Sequence, residues 1–286
     1  MDAFLHQVLA GLATGGIYAS LALALVMIYQ ATHLVNFAQG EMAMFATYLG
    51  WSLLNAGVPY WPAFLLTIGI AFVAGIVIER VVVRPVENSP VLAIVVVFIA
   101  LLVILNSVAG WIYTYTLKSF PSPFPPQAAF KYMSPHEIGA IGITLVVLAA
   151  LYAFFRFARV GIAMQATSQN QLAAYYMGIP VQRLNGLVWG LSAGVAALAG
   201  LLLAPFTFVH VNMGFIGLKA FPAAVVGGFG SLPGAIVGGL IIGVIEALAG
   251  FYLPEGFKDI AAYVVVLLML VIKPNGLFGG STRKKV

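Results

Sequence analysis

The chain contains no cysteine, which excludes disulfides, thiol nucleophiles and cysteine-based metal sites and leaves the redox compartment open. Charge is nearly as scarce. Its 286 residues carry 13 basic and 8 acidic side chains, 7% of the total, where a soluble domain carries about a quarter. The four histidines stand apart at positions 6, 33, 136 and 210, and no carboxylate pair or histidine cluster has metal-ligand spacing, so neither a catalytic nor a metal site is expected. No G-x-x-x-x-G-K-[ST] loop is present, so any dependence on ATP has to come from a partner.

What fills the chain instead is apolar: 62% of its residues. Uncharged runs such as Val91 to Leu105 recur along nearly its whole length and approach the roughly 20 residues needed to cross a bilayer as helix. A transmembrane β-barrel would show short alternating segments rather than unbroken apolar runs. The expected fold is an all-α integral membrane protein. Polar clusters, Pro and Gly place about eight transmembrane helices near 8–30, 34–55, 61–79, 91–111, 138–157, 185–208, 235–253 and 259–273. A further stretch, Leu218 to Phe229, is interrupted by Gly227-Gly228 and reads as a half-helix. The start, MDAFLHQVLA, lacks the positive region of a cleaved signal peptide and reads as part of a retained first helix.

Counting the half-helix as a crossing puts Arg80, Arg84, Arg156, Arg159, Arg183, Lys273, Arg283, Lys284 and Lys285 on one side. Only Lys118, Lys131 and Lys258 fall on the other, with Lys219 left over at the start of the short segment. The positive-inside bias then sets the N-terminus outside and the C-terminus in the cytoplasm. The net charge of +5 is read as this bias, not as nucleic-acid binding. The outer loop around Lys118 to Glu137 holds FPSPFPP, which disfavours helix.

The inner loop 156–183 contains QNQLAAYYMGIP, a short helix stopped at Gly178 and Pro180. Leu172, Tyr175, Tyr176 and Ile179 recur on one face of it. GLATG at Gly11 to Gly15 resembles GLSAG at Gly190 to Gly194. The segment Trp61-Pro62 to Ile78-Glu79 likewise has a counterpart in Leu232-Pro233 to Ile245-Glu246. Two such halves separated by five crossings insert with opposite topology, an inverted repeat.

Glu41 and Glu246 lie within apolar spans, where a charge is costly and marks either a packing hydrogen bond or a solute path. Asn36 and Gln39 are candidate partners for Glu41, and Lys219 a candidate counter-charge. Dense glycine allows close helix approach. In VVGGFGSLPGAIVGG, Gly and Pro interrupt an apolar region and could also free backbone to line a path.

These residues resemble a known family: the H-type permease subunits of bacterial branched-chain amino acid ABC importers. The resemblance covers nearly the whole chain. It is carried by Asn36-Phe37-Ala38-Gln39-Gly40-Glu41, Ile78-Glu79-Arg80 with Arg84-Pro85, Ala173-Ala174 through Gly178-Ile179, and Lys219-Ala220-Phe221 leading to Gly227-Gly228-Phe229-Gly230-Ser231-Leu232-Pro233-Gly234-Ala235. It implies one polytopic permease domain over 1–286 in the inner membrane, paired with a sister M-type subunit in a heterodimer. Two cytoplasmic ATPases would bind ATP and Mg, and a periplasmic binding protein would deliver branched-chain amino acids or related small solutes. The loop helix, Leu172, Ala173, Ala174, Tyr175, Tyr176, Met177, Gly178 and Ile179, would then couple to an ATPase. Asn36, Gln39, Glu41, Lys219 and Glu246 would line or gate the path. The sequence departs from the family at Gln39, usually His; Gln165, usually basic; Asn170, usually acidic; and Pro222, usually Ala. Two other readings of the residues stand beside this one: a gradient-driven transporter with Glu41 or Glu246 as proton carrier, and a non-transporting scaffold.

Overall fold

A computed structural model describes residues 2–125 and 132–279. Lys131 and Arg283, Lys284 and Lys285, which enter the charge asymmetry, lie outside the described residues, as does Pro126 of the FPSPFPP segment.

Among the described residues the regular elements are all helices, and the connecting loops hold an isolated bridge between Lys118 and Val209. The helices are α1 (Asp2–Thr32), α2 (Gln39–Asn55), α3 (Tyr60–Ile78), α4 (Val91–Tyr113), α5 (Pro135–Phe157), α6 (Arg159–Gln169), α7 (Gln171–Tyr176), α8 (Val181–Thr207), α9 (Ile216–Gly227), α10 (Leu232–Tyr252) and α11 (Phe257–Ile272). Six of them, α1, α3, α4, α5, α8 and α10, are long and apolar enough to cross a membrane. The helices α2 and α11 have 17 and 16 residues, about 25 Å of helix, slightly less than the apolar thickness of a bilayer. With them a helix stands at each of the eight expected positions, six of them long and apolar enough to cross, and the 12-residue α9 is the expected short helix. Three non-glycine residues with positive φ, His33, Thr114 and Phe208, stop α1, α4 and α8; that conformation cannot continue a right-handed helix.

The described residues form two compact units, 2–26 with 124–125, 132–144 and 218–279, and 27–123 with 145–217. In the second unit α3 packs along α8, and the sequence explains how closely. Gly186, Gly190 and Gly194, one helical turn apart on α8, meet Glu79, Ile76, Phe72 and Ile68 of the facing chain, while Gly75 of α3 receives the Trp189 carbonyl and the Ala193 methyl. In lipid no hydrophobic drive separates helix contacts from lipid contacts, so small residues that admit backbone contact decide which helices pair. Trp189, Tyr48 and Phe98 are the largest fully buried side chains of this unit, and Phe98 and Trp189 lie 5.7 Å apart between ring centroids.

The first unit repeats the device. Gly11 and Gly15 of α1 lie against Gly239, Leu240, Gly243 and Val244 of α10, and Gly239 in turn lies against Ala19. The two matching glycine motifs read from the sequence therefore play one part: GLATG packs α1 on α10, and GLSAG packs α8 on α3. In this unit α9 contains Pro222, which has no N–H to offer the Leu218 carbonyl. The Tyr263 hydroxyl stands 3.5 Å from that carbonyl. At the other end of α9, Leu277 and Phe278 donate their backbone N–H groups to the Val226 and Gly227 carbonyls, covering acceptors that a helix end leaves open.

Candidate functional site

The loop 156–183 folds as α6, α7 and the start of α8. Asn170 caps α7 by accepting from Ala173 N–H at 2.9 Å, and Gly178 ends it with φ +81, a conformation that costs glycine nothing. The cap is a job that Asn does as well as Asp, so the neutral residue at 170 keeps the local structure. Ala174 is buried, and Gln171 donates through Nε2 to the Ala31 carbonyl in the last turn of α1 at 2.6 Å. On the opposite side Leu172, Tyr175, Tyr176 and Met177 are 63% to 82% exposed. Ile179, expected on that face, is half-buried, and Met177 is exposed with the others.

Near the start of α2 the fully buried Asn36 and Gln39 are brought together: Asn36 Nδ2 donates to Gln39 Oε1 at 2.9 Å, and Gln39 Nε2 donates to Ser192 Oγ at 3.0 Å. Neither serves Glu41. Residues two apart on a helix point to different sides, and Glu41, also buried, instead accepts from Asn106 Nδ2 at 3.2 Å. Asn106 also donates to the Val211 carbonyl at 3.0 Å. Gly214 lies directly against the Glu41 carboxylate, where any Cβ would collide.

A third buried acid is Glu79, with which the second unit ends its span α3. The helix widens to a π-turn over Glu79–Val83, with Arg84 N–H donating to the Glu79 carbonyl. The widened turn leaves Arg84, five residues on, within reach of the Glu79 carboxylate. Arg84 Nε and Nη2 donate to Glu79 Oε1 and Oε2 at 3.1 and 2.7 Å, and Nη2 also reaches the Gln182 carbonyl at 3.2 Å. In the first unit Lys219 is ion-paired with the buried Glu246 and with Asp259, the latter at 3.1 Å.

Asn106, Ser192, Arg84 and Asp259 are the polar partners that sequence reading did not assign. Glu79 and Arg84 were visible as a motif, but only the π-turn makes them a pair. Ser192 sits inside the GLSAG motif, and its hydroxyl is the partner of Gln39. Among the described residues no group of His, Asp and Glu could hold a metal ion.

Apolar spans zipped by glycine, a few buried polar groups held by side-chain partners, and a short helix with an exposed apolar face define a multi-pass helical membrane protein. The chain belongs to the family described as branched-chain amino acid transport system / permease component, whose model matches residues 7–273. It is similar to the high-affinity branched-chain amino acid transport system permease protein LivH of Escherichia coli (strain K12), 33% identical over 99% of this chain and 98% of that protein. It is likewise similar to the corresponding permease protein BraD of Pseudomonas aeruginosa, 29% identical over the same shares. Among solved structures it is similar to PsaBC from Streptococcus pneumoniae in complex with Fab, at 14% identity and a TM-score of 0.49 over 97% of this chain and 92% of that chain. The chain is thus an ABC importer permease of the inner membrane, and the family supports this reading over a gradient-driven transporter.

Proposed function

We propose that the chain, as one permease domain over 1–286, translocates branched-chain amino acids or closely related small solutes in a heterodimer with an M-type sister. A periplasmic binding protein delivers the solute, and two cytoplasmic ATPases bind ATP and Mg and supply the energy. The observation that carries this is the family match across nearly the whole chain. The substrate named for the relatives is the basis for the substrate here. The charge asymmetry supports a periplasmic N-terminus and a cytoplasmic C-terminus.

In this reading Leu172 to Ile179 form the coupling helix. The exposed Leu172, Tyr175, Tyr176 and Met177 enter a groove of the ATPase, and Gln171 passes its movement to α1. ATP closes the ATPase pair and shifts the permease between outward-open and inward-open states. Asn36, Gln39, Glu41, Lys219 and Glu246 are the polar groups that line or gate the path. The expense of burying them in a membrane supports that role.

The test is uptake into proteoliposomes holding the complete importer, with binding protein outside and ATP supplied to the ATPases. ATP-driven leucine uptake that stops when the ATPases are left out is the expected result. Uptake driven by a pH gradient without any ATPase would overturn it in favour of a proton carrier at Glu41 or Glu246.

A further inference from the structure

The first unit contains a cavity of about 270 Å³ bounded by α1, α10 and the start of α11. Its α1 wall is Gln7, Ala10, Thr14 and Tyr18, whose spacings of three and four residues put them on one face of the helix. Three of these four are polar, in a helix that is otherwise mostly apolar. The facing wall includes Glu246 and Phe251 of α10, and Lys258 completes the lining.

The polar groups of this cavity are incompletely matched. Lys219 and Glu246 are ion-paired, and the pair uses Glu246 Oε1; the Tyr18 hydroxyl of the α1 wall bears on the same carboxylate, whose buried Oε2 has no hydrogen bond of ordinary length. A buried carboxylate oxygen without a donor is costly, and a ligand donor there recovers the loss. At the other end Lys258 is in no ion pair among the described residues. Gly250, one turn beyond Glu246, lies against the Lys258 methylenes. Glu246 and the Gly250 that carries the Lys258 stem are thus one turn apart on α10, roughly 6 Å of helix rise. The four charged groups here, Glu246, Asp259, Lys219 and Lys258, sum to zero, so a ligand carrying both charges leaves the balance unchanged. Ala10, Ala247 and Phe251 supply apolar surface to the lining.

We propose that this cavity is a binding site for a small zwitterion, which places a primary ammonium on Glu246 and an anionic oxygen group on Lys258. Two sources offer that chemistry, a free α-amino acid and the ethanolamine phosphate headgroup of a lipid. The choice of leucine as probe rests on the importer reading.

The experiment uses the permease assembled with its sister and ATPases, without binding protein, in nanodiscs of phosphatidylcholine alone or with phosphatidylethanolamine. Saturation transfer to the leucine methyls and the thermal midpoint are read in the parent, Glu246→Gln, Lys258→Gln and Ala10→Phe. The last fills the cavity without changing charge, and Lys258→Gln alters an exposed residue, so the test survives if Glu246→Gln fails to assemble. Leucine should bind the parent in phosphatidylcholine alone, while 4-methylpentanoate, lacking the ammonium, and leucinol, lacking the carboxylate, should not. Affinity should fall at least tenfold in Glu246→Gln, severalfold in Lys258→Gln, and vanish in Ala10→Phe. A midpoint raised by phosphatidylethanolamine but not by leucine, and lost in Ala10→Phe, also supports the site and assigns it to lipid. No response to either zwitterion, or a response undiminished in Ala10→Phe and Lys258→Gln, overturns the proposal. A parent that takes up leucine with ATP yet binds neither zwitterion refutes the cavity alone; one that binds leucine but takes up no amino acid refutes the importer reading alone.

Discussion

Gln171 reaches across 140 positions of sequence to hold the carbonyl of Ala31, at 2.6 Å. The acceptor is in the last turn of α1, where helix carbonyls have no partner of their own, and the donor is the first residue of α7. The bond therefore ties the loop helix to the end of a largely buried span.

Replacing Gln171 by Ala should uncouple movement of α7 from α1 without removing the exposed apolar face. A hydrogen bond of this kind contributes about 1 kcal/mol. Leucine uptake by the complete importer should fall severalfold while ATPase subunits still co-purify in normal amount. Unchanged uptake per ATP hydrolysed would remove the link.

Gly178 has φ +81 and open space where a Cβ would project, so substitution there strains the backbone without a collision. Gly178→Ala should cost about 1 kcal/mol, and Gly178→Asn, which tolerates this conformation, less. Gly178→Arg places a charge beside the apolar face and should abolish ATPase association while the chain still inserts in the membrane. Co-purification from membranes reads the outcome, and normal association in the Arg variant would refute the coupling assignment.

Gly75 is packed against the Trp189 carbonyl and the Ala193 methyl, neither of which can swing aside. Gly75→Leu should destabilise the α3–α8 pair by about 3 kcal/mol, read as a lower thermal midpoint in detergent and loss of monodisperse protein. Gly69 on the same helix has nothing near its missing Cβ, and Gly69→Ala should hold the midpoint or raise it.

Arg84 is the partner of the buried Glu79. Arg84→Met leaves that carboxylate without its cation, a loss of about 3 kcal/mol. Glu79→Gln added to it should recover most of the midpoint, because no charge then remains buried. Equal midpoints for the single and double variants would mean that the arginine acts only through its bond to the Gln182 carbonyl.

The spans were legible because crossing a bilayer requires long apolar stretches, and few other sequences carry them. The pairing of GLATG with α10 and of GLSAG with α3 was half legible: the likeness of the motifs could be read, but not the helix each packs on. The short loop helix and its stop at Gly178 followed from local chemistry. The partners of the buried acids did not. Asn106 stands alone in an apolar run 65 positions from Glu41, and no periodicity links a lone amide to a distant carboxylate. Gln39 and Glu41 looked like neighbours because sequence distance is not direction on a helix.

The backbone of Leu277 and Phe278 closes the last carbonyls of α9, so the segment after α11 works as a lid on another helix. Affinity tags should be spaced well away from it by a flexible linker. A chain shortened to Lys273 would bare two carbonyls at the end of a helix too short to cross a bilayer, and such a protein is a poor starting point for crystals or grids even if it expresses.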